Sequence, residues 1–200
     1  NRKEAICMKI CVFGAASNEI DHSYIDKVEE MSSLLAKRGH ELVFGAGANG
    51  LMGAAARGMK SAGGRITGVI PQFFKDETIE EIYDGCDELI FTDTMQERKK
   101  TMENLADAFI VVPGGIGTFE EMYEVLTLKQ LGRHQKPIIF YNLFGYFDNL
   151  MAFMHHCSDE GFIRKNCHKL YNITDNNEEL VRYIENSKPL NFSVKDLKHS

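Results

Sequence analysis

The chain has 200 residues, 44% hydrophobic and 26% charged, with a net charge of −6 when histidine is neutral. That length holds one domain with a sizeable core, and the acidic balance argues against non-specific binding to nucleic acid or to an anionic membrane. No apolar run is long enough to span a bilayer, no signal-peptide pattern is visible, and the five cysteines (Cys7, Cys11, Cys86, Cys157 and Cys167) are odd in number without framework spacing, as expected of reduced thiols in a cytoplasmic protein.

Short apolar runs alternate with amphipathic stretches. KICVF at 9–13 predicts a first strand. Ile25, Val28, Leu34 and Leu35 then predict a helix over about Tyr24–Arg38, stopped at Gly39. ELVF at 41–44 predicts a second strand, and LMGAAARGMKSA at 51–62 a helix with a small-residue face. RITGVI at 65–70 predicts a third strand closed by Pro71, and 72–87 reads as a polar connection. ELIF at 88–91 is a fourth strand, followed by a helix over about Thr94–Leu105. AFIVV at 108–112 leads through a glycine-rich loop into a helix ending near Leu131, and PIIFY at 137–141 is a further strand. A helix around 147–159 and a weaker one near 177–185 follow, and 187–200 reads as a poorly packed tail. The expected architecture is therefore a single α/β domain, its core at about 9–185. It is a three-layer, doubly wound, Rossmann-like, mostly parallel sheet with helices on both faces. In such sheets ligands bind beyond the carboxyl ends of the strands.

IVVPGGIGTFEE, residues 110–121, sits at such an end. Gly114, Gly115 and Gly117 can adopt positive φ and admit a ligand close to the backbone. The helix start offers free N–H groups and the positive end of its dipole, and Thr118 adds a hydroxyl; together these suit a phosphate. No GK[ST] follows, so this is not a Walker loop. With Thr118 as N-cap, Glu121 at the third helical position makes a capping box. A carboxylate held beside a bound phosphate sugar fits the same spacing, and spacing alone does not choose.

A second glycine loop, FGAGANGLMG at 44–53, satisfies GxGxxG through Gly45, Gly47 and Gly50. The dinucleotide version expects an acid at the end of the next strand, where this chain has Ile70-Pro71-Gln72. The loop reads as a second wall of a mononucleotide site, with close helix–sheet packing as the alternative for Gly53 and Ala54. TMQERKK at 94–100 places Met95, Arg98 and Lys99 at i, i+3 and i+4, hence on one helix face. Taken alone that pattern is a solvated basic stretch.

Together these pieces resemble the Lonely Guy (LOG) family of cytokinin-activating phosphoribohydrolases. PGGIGTFEE (Pro113 to Glu121) matches the family's PGGxGTxxE, MQERK (Met95 to Lys99) its MxxRK, and Gly50–Gly53 its GLMG. LGRHQKPIIFYNLFGYFDNL at 131–150 matches its LGxHxKP turn and later GYxDxL, and the resemblance spans roughly 9–165. Two loops depart from the pattern. Gly14-Ala15-Ala16-Ser17 stands in place of a Cys-Gly-Ser-Ser-like loop, and Ala46 replaces the middle of three glycines. The resemblance implies hydrolysis of the N-glycosidic bond of a nucleoside 5′-monophosphate, AMP-like or a cytokinin nucleotide, to free base and ribose 5-phosphate. It implies Arg98 and Glu121 as the catalytic pair. Gly114, Gly115, Gly117 and Thr118 would hold the phosphate, and Met95, Lys99, Ser17 and Gly47 would line the substrate site. It also implies a homodimer with the site near the subunit interface. Some relatives carry a lysine decarboxylase label, but no recognisable pyridoxal motif surrounds a lysine here.

Glycosidic cleavage builds positive charge on the sugar carbon. A carboxylate at Glu121 would stabilise that charge and orient or deprotonate water, and the scheme needs no metal or organic cofactor. His155, His156, Cys157, Cys167 and His168 fit no zinc spacing and read as packing or surface residues. A non-catalytic nucleotide carrier of the same fold, like molybdenum-cofactor carriers, is the alternative function. It predicts binding without base release. A nicotinamide oxidoreductase is more distant.

Overall fold

Seven strands form one sheet in the order β4-β3-β2-β1-β5-β6-β7. They are β1 (Lys9–Phe13), β2 (Glu41–Phe44), β3 (Ile66–Pro71), β4 (Glu88–Thr92), β5 (Ala108–Val111), β6 (Ile138–Tyr141) and β7 (Asn172–Thr174). All six pairings between neighbours are parallel. This is a computed structural model, and it describes residues 7–77 and 79–188. The helices are α1 (His22–Lys37), α2 (Gly50–Ser61), α3 (Gln72–Asp76), α4 (Met95–Leu105), α5 (Ile116–Gln130), α6 (Asp148–Asp159) and α7 (Asn177–Asn186).

The inner strands β1, β2, β3, β5 and β6 bury both faces, so their side chains divide between two cores. From β1, Ile10 and Val12 join Val28, Met31 and Leu35 of α1, Leu51 and Met59 of α2, and Leu180 and Ile184 of α7. Cys11 and Phe13 point the other way, to Met102 of α4, Met122 and Val125 of α5, and Phe147. The expected three-layer α/β arrangement is what the chain adopts. On the first face α1 and α2 approach closely at Gly58, where a Cβ would stand 2.3 Å from the Glu29 carbonyl.

The predicted strands and helices sit within one or two residues of their observed limits. Pro71 does not follow β3 but ends it, in register with Thr92. The polar connection 72–87 contains α3, a single five-residue turn. β7 went unpredicted because it has three residues and one aliphatic side chain, Ile173. The helix read as weak near 177–185 is a regular one. Asn176 caps it by accepting from the Glu179 N–H at 3.0 Å, and Leu180, Val181 and Ile184 are buried. The predicted tail lies, from residue 189 on, outside the described residues.

The chain winds from β1 out to β4, returns to the centre, and winds from β5 out to β7. The loops after β1 and β5 therefore diverge from a single point, where an open parallel sheet forms its ligand crevice.

Candidate active site

After β5, Val112, Pro113 and Gly114 are buried and the chain turns into α5 with Gly115 as N-cap. Gly115 has no side chain to cap the helix, and the first helical bond from this turn runs from the Phe119 N–H to the Gly115 carbonyl, 3.0 Å. Among the described residues no acceptor meets the N–H groups of Ile116, Gly117 and Thr118. Three donors and the dipole's positive end thus open on the crevice.

This geometry corrects two expectations. Thr118 is not the N-cap; it is the third helical residue and is buried. Glu121 is then the sixth, beyond the reach of a capping box, so capping does not account for it. Nor do Gly114, Gly115 and Gly117 take positive φ. Gly114 is needed for packing, since its Cβ would stand 2.1 Å from Thr118 Oγ1. A Cβ on Gly115 or Gly117 would meet nothing within 4 Å, so these two leave room on the cavity side. The Tyr146 hydroxyl donates to the Gly114 carbonyl at 2.7 Å and the Ala15 N–H to the Pro113 carbonyl at 3.1 Å, which ties the loop to its neighbours.

The second glycine loop also holds its neighbours in place. The Leu51 and Met52 N–H groups at the start of α2 both donate to the Ala15 carbonyl, at 2.8 and 3.2 Å. This helix end anchors the 14–17 loop instead of presenting those donors to a ligand. Gly50 has φ 58°, and its Cβ would lie 2.5 Å from the same carbonyl. Ala46 has φ 65°, a left-handed conformation that explains why glycine suits that position.

Between the two loops lies a cavity of about 390 Å³, lined by Ser17, Met95, Arg98, Thr118 and Glu121 and also by Phe74 and Glu80. Gly115 and Gly117 line it as well. Lys99, Gly47 and Gly114 do not line it, and Gly114 lines a neighbouring cavity with Pro113 and Tyr146. The Lys99 ammonium is paired with Glu120 and, at 2.6 Å, with Glu124. So Met95 and Arg98 of the expected helix face reach the cavity, and Lys99 turns to the outer side of α5.

Capped by Thr94, which accepts from the Glu97 N–H at 3.1 Å, α4 delivers Arg98 inward, 6% exposed. Its Nε donates to the Val69 carbonyl at 3.1 Å and its Nη2 to the Gly45 carbonyl at 3.4 Å. Nη1 stands 3.6 Å from Glu121 Oε1, and that side chain is 11% exposed. Burial pushes the Glu121 carboxyl up and Arg98 pulls it down. Burial wins, and the group titrates at about 7. The guanidinium fits only because residue 45 is glycine, as a Cβ there would stand 1.8 Å from Nη2. Gly45→Ala is expected to swing Arg98 off Glu121 and cost about 10- to 100-fold in kcat. Steady-state kinetics beside a thermal melt checks this; an unchanged kcat refutes it.

Phe74 and Glu80 come from the segment read as a polar connection. No periodicity marks them, and α3 is too short to show one. Among the described residues no three His, Cys, Asp or Glu side chains gather to hold a metal ion, and no helix is long and apolar enough to cross a membrane.

A family model described as "possible lysine decarboxylase" matches residues 52–184. Cytokinin riboside 5′-monophosphate phosphoribohydrolase LOG5 of Arabidopsis thaliana is 37% identical over 186 residues, covering 93% of this chain and 81% of that protein. The chain belongs to the LOG phosphoribohydrolase family. The LOG-family protein of the same description from Mycobacterium tuberculosis is 37% identical over 174 residues, 86% of this chain and 91% of that one. Among solved structures, the molybdenum cofactor binding protein of Rippkaea orientalis superposes with a TM-score of 0.68 at 21% identity, over 90% of this chain and 96% of that one. At that identity the likeness shows the fold alone. The LOG family thus joins carriers on one architecture, and the side chains at the crevice must separate them.

Proposed function

We propose that this LOG-family protein is a hydrolase that cleaves the N-glycosidic bond of a nucleoside 5′-monophosphate, AMP-like or a cytokinin nucleotide, to free base and ribose 5-phosphate. One observation carries the reading. A buried carboxylate, Glu121, faces the same cavity as the open N-terminus of its own helix, five residues and about 7.5 Å along the axis. That is the scale of a ribose between its 5′-phosphate and its anomeric carbon. The phosphate would sit on the N–H groups of Ile116, Gly117 and Thr118, with the hydroxyls of Thr118 and Ser17 beside it.

In this scheme the ionised Glu121 faces the oxocarbenium-like carbon and accepts a proton from water. The water oxygen bonds to C1′ as the C1′–N bond breaks, the base leaves with that electron pair and takes a proton from solvent, and Glu121 returns the water's proton to solvent. Arg98 fixes Glu121 and holds its proton affinity down. Met95 and Phe74 offer apolar surface to the base.

Incubation with AMP and with a cytokinin riboside 5′-monophosphate, followed by chromatography for free base, tests the reaction. Nucleotide bound without base released would instead mark a carrier. Gly117→Ala isolates the phosphate loop: no protein atom opposes the added methyl, and alanine suits a helix better by about 0.5–1 kcal/mol. The variant is expected to be slightly more stable yet to raise KM about 10-fold or more by crowding the phosphate. Unchanged KM would place the phosphate elsewhere.

We further propose that the protein is a cytoplasmic homodimer. The outer face of α5 supports an apolar contact, with Ile116 88%, Tyr123 40% and Leu131 51% exposed, and the five cysteines are free. Light scattering measures the assembly state.

A further inference from the structure

The GYxDxL element, Gly145 to Leu150, takes no part in the proposed chemistry, yet it touches the phosphate loop. Between β6 and α6 the chain makes a tight corner in which Phe144 and Gly145 both take left-handed backbone, φ 53° and 73°. Asn142 braces the corner. Its Oδ1 accepts from the Phe147 N–H at 2.7 Å, and its Nδ2 donates to Asp148 Oδ1 at 2.8 Å. A Cβ on Gly145 would stand 2.6 Å from the other Asp148 oxygen, so glycine suits both the backbone and the space. Tyr146 therefore leaves a fixed corner. Its ring lies edge-on to Phe147, centroids 5.1 Å apart, and to Tyr24, 6.4 Å apart. Its hydroxyl reaches across 32 positions of sequence to the Gly114 carbonyl, 2.7 Å away.

That carbonyl belongs to the peptide joining Gly114 to Gly115. In a trans peptide the C=O and the following N–H point in opposite directions. Tyr146 lines the neighbouring cavity, whereas Gly115 lines that cavity and the catalytic one. Holding the Gly114 carbonyl on the Tyr146 side turns the Gly115 N–H away from Tyr146, and among the described residues no acceptor meets it. The preceding peptide is pinned in the same manner, by the Ala15 N–H on the Pro113 carbonyl. Turning the Gly114–Gly115 peptide over would move Gly115 from φ −96° to a positive value, which glycine reaches without strain. It would also aim a carbonyl oxygen where the N–H now points, against an incoming anion. We propose that Tyr146 is a positioning residue for the phosphate site: its hydroxyl selects the peptide orientation that adds the Gly115 N–H to those of Ile116, Gly117 and Thr118. The proposal rests on the phosphoribohydrolase reading for its anion and adds to it the group that sets the loop.

Equilibrium binding of AMP, adenosine and ribose 5-phosphate is measured with the unaltered protein, Tyr146→Phe and Tyr24→Phe, beside steady-state base release from AMP. Phenylalanine at 146 keeps the ring contacts and removes one hydroxyl from a side chain 41% exposed, and a thermal melt checks that the fold persists. Tyr24→Phe strips the neighbouring ring of its hydroxyl and serves as the control. Tyr146→Phe is expected to weaken AMP and ribose 5-phosphate about 5- to 20-fold and to leave adenosine within about 2-fold. KM for AMP should rise with kcat held within about 3-fold. Tyr24→Phe should move none of these by more than about 2-fold. A general loosening of the fold would weaken all three ligands together or lower kcat alone. Either result, or unchanged binding of the two phosphates, overturns the proposal. If the unaltered protein binds AMP but releases no base, the proposed reaction fails, and the binding ratios still decide the role of Tyr146. If it binds AMP no more tightly than adenosine, the phosphate loop and its brace fall together.

Discussion

Glu121→Gln is expected to lower kcat for base release by about 100- to 10,000-fold, the range for losing a general base or an electrostatic stabiliser of the transition state. KM should stay within about 3-fold, because the phosphate donors lie a full turn earlier on α5. The substitution keeps the shape and the helix propensity of the side chain and removes its charge and its proton affinity. Capping cannot confuse the result, since Glu121 is the sixth residue of the helix and Gly115 is the cap. Full turnover in a normally folded variant would remove Glu121 from the chemistry.

The same residue sets a pH dependence with a definite sign. With the folded carboxyl at about 7, kcat/KM should rise with pH to a plateau above that value, and the limb should vanish in Glu121→Gln. Stability should run the opposite way. An unfolded glutamate titrates near 4.5, so between 4.5 and 7 the folded chain holds a proton that the unfolded chain has lost. That contribution is complete below 4.5 and is lost as pH rises through 7, about 3 kcal/mol in all. Urea melts at pH 5 and pH 8 should therefore show the variant gaining on the unaltered protein at the higher pH. The value of about 7 already includes the pull of Arg98, so leaving Arg98 without its partner adds no further pH dependence. Parallel pH curves for the two proteins would contradict a buried Glu121 titrating near 7.

Why the sheet was legible and part of the site was not follows from period and distance. Each of the first six strands is a short, largely apolar run beside a turn signal, and in the inner strands burial on both faces makes such runs continuous. β7 offers only Ile173 and is fixed by pairing to β6, a contact no local pattern records. The glycines at 114–117 were readable as a ligand loop, but the reason for each was not. Gly114 answers to Thr118 across one turn, and Gly45 and Gly47 answer to Arg98 and Glu80, 53 and 33 positions away. Lys99 shows the limit of helix-face reasoning. At i+4 from Met95 it shares that residue's side, yet Glu120 and Glu124 on α5 draw its ammonium outward. Phe74 reaches the cavity from the single turn of α3, and Glu80 from an irregular segment held by two backbone hydrogen bonds to the second glycine loop. A period cannot mark residues placed that way.

Arg98 is expected to give the second-largest loss, and two substitutions separate its roles. Its planar fork makes two hydrogen bonds to carbonyls of different strand ends, Val69 and Gly45, while presenting a third nitrogen to Glu121. Lysine carries the charge on a single rotatable ammonium and cannot reproduce that geometry. Arg98→Lys should therefore lower kcat about 100-fold while leaving the acidic limb of the pH profile near 7. Arg98→Met keeps much of the length and removes the charge. Since Arg98 lowers the Glu121 carboxyl against the effect of burial, losing it should push the limb above 7, with an equal or greater loss of turnover. It should also destabilise the fold by about 3 kcal/mol, because breaking a buried pair strands its partner, and less at acid pH where Glu121 is protonated. If the methionine variant keeps both its turnover and a limb near 7, Arg98 acts on the phosphate or the base and not through Glu121. A limb that moves equally in both variants would mean that geometry, and not charge, governs the carboxylate. The pH profile of two variants thus decides what the 3.6 Å contact between Arg98 and Glu121 contributes.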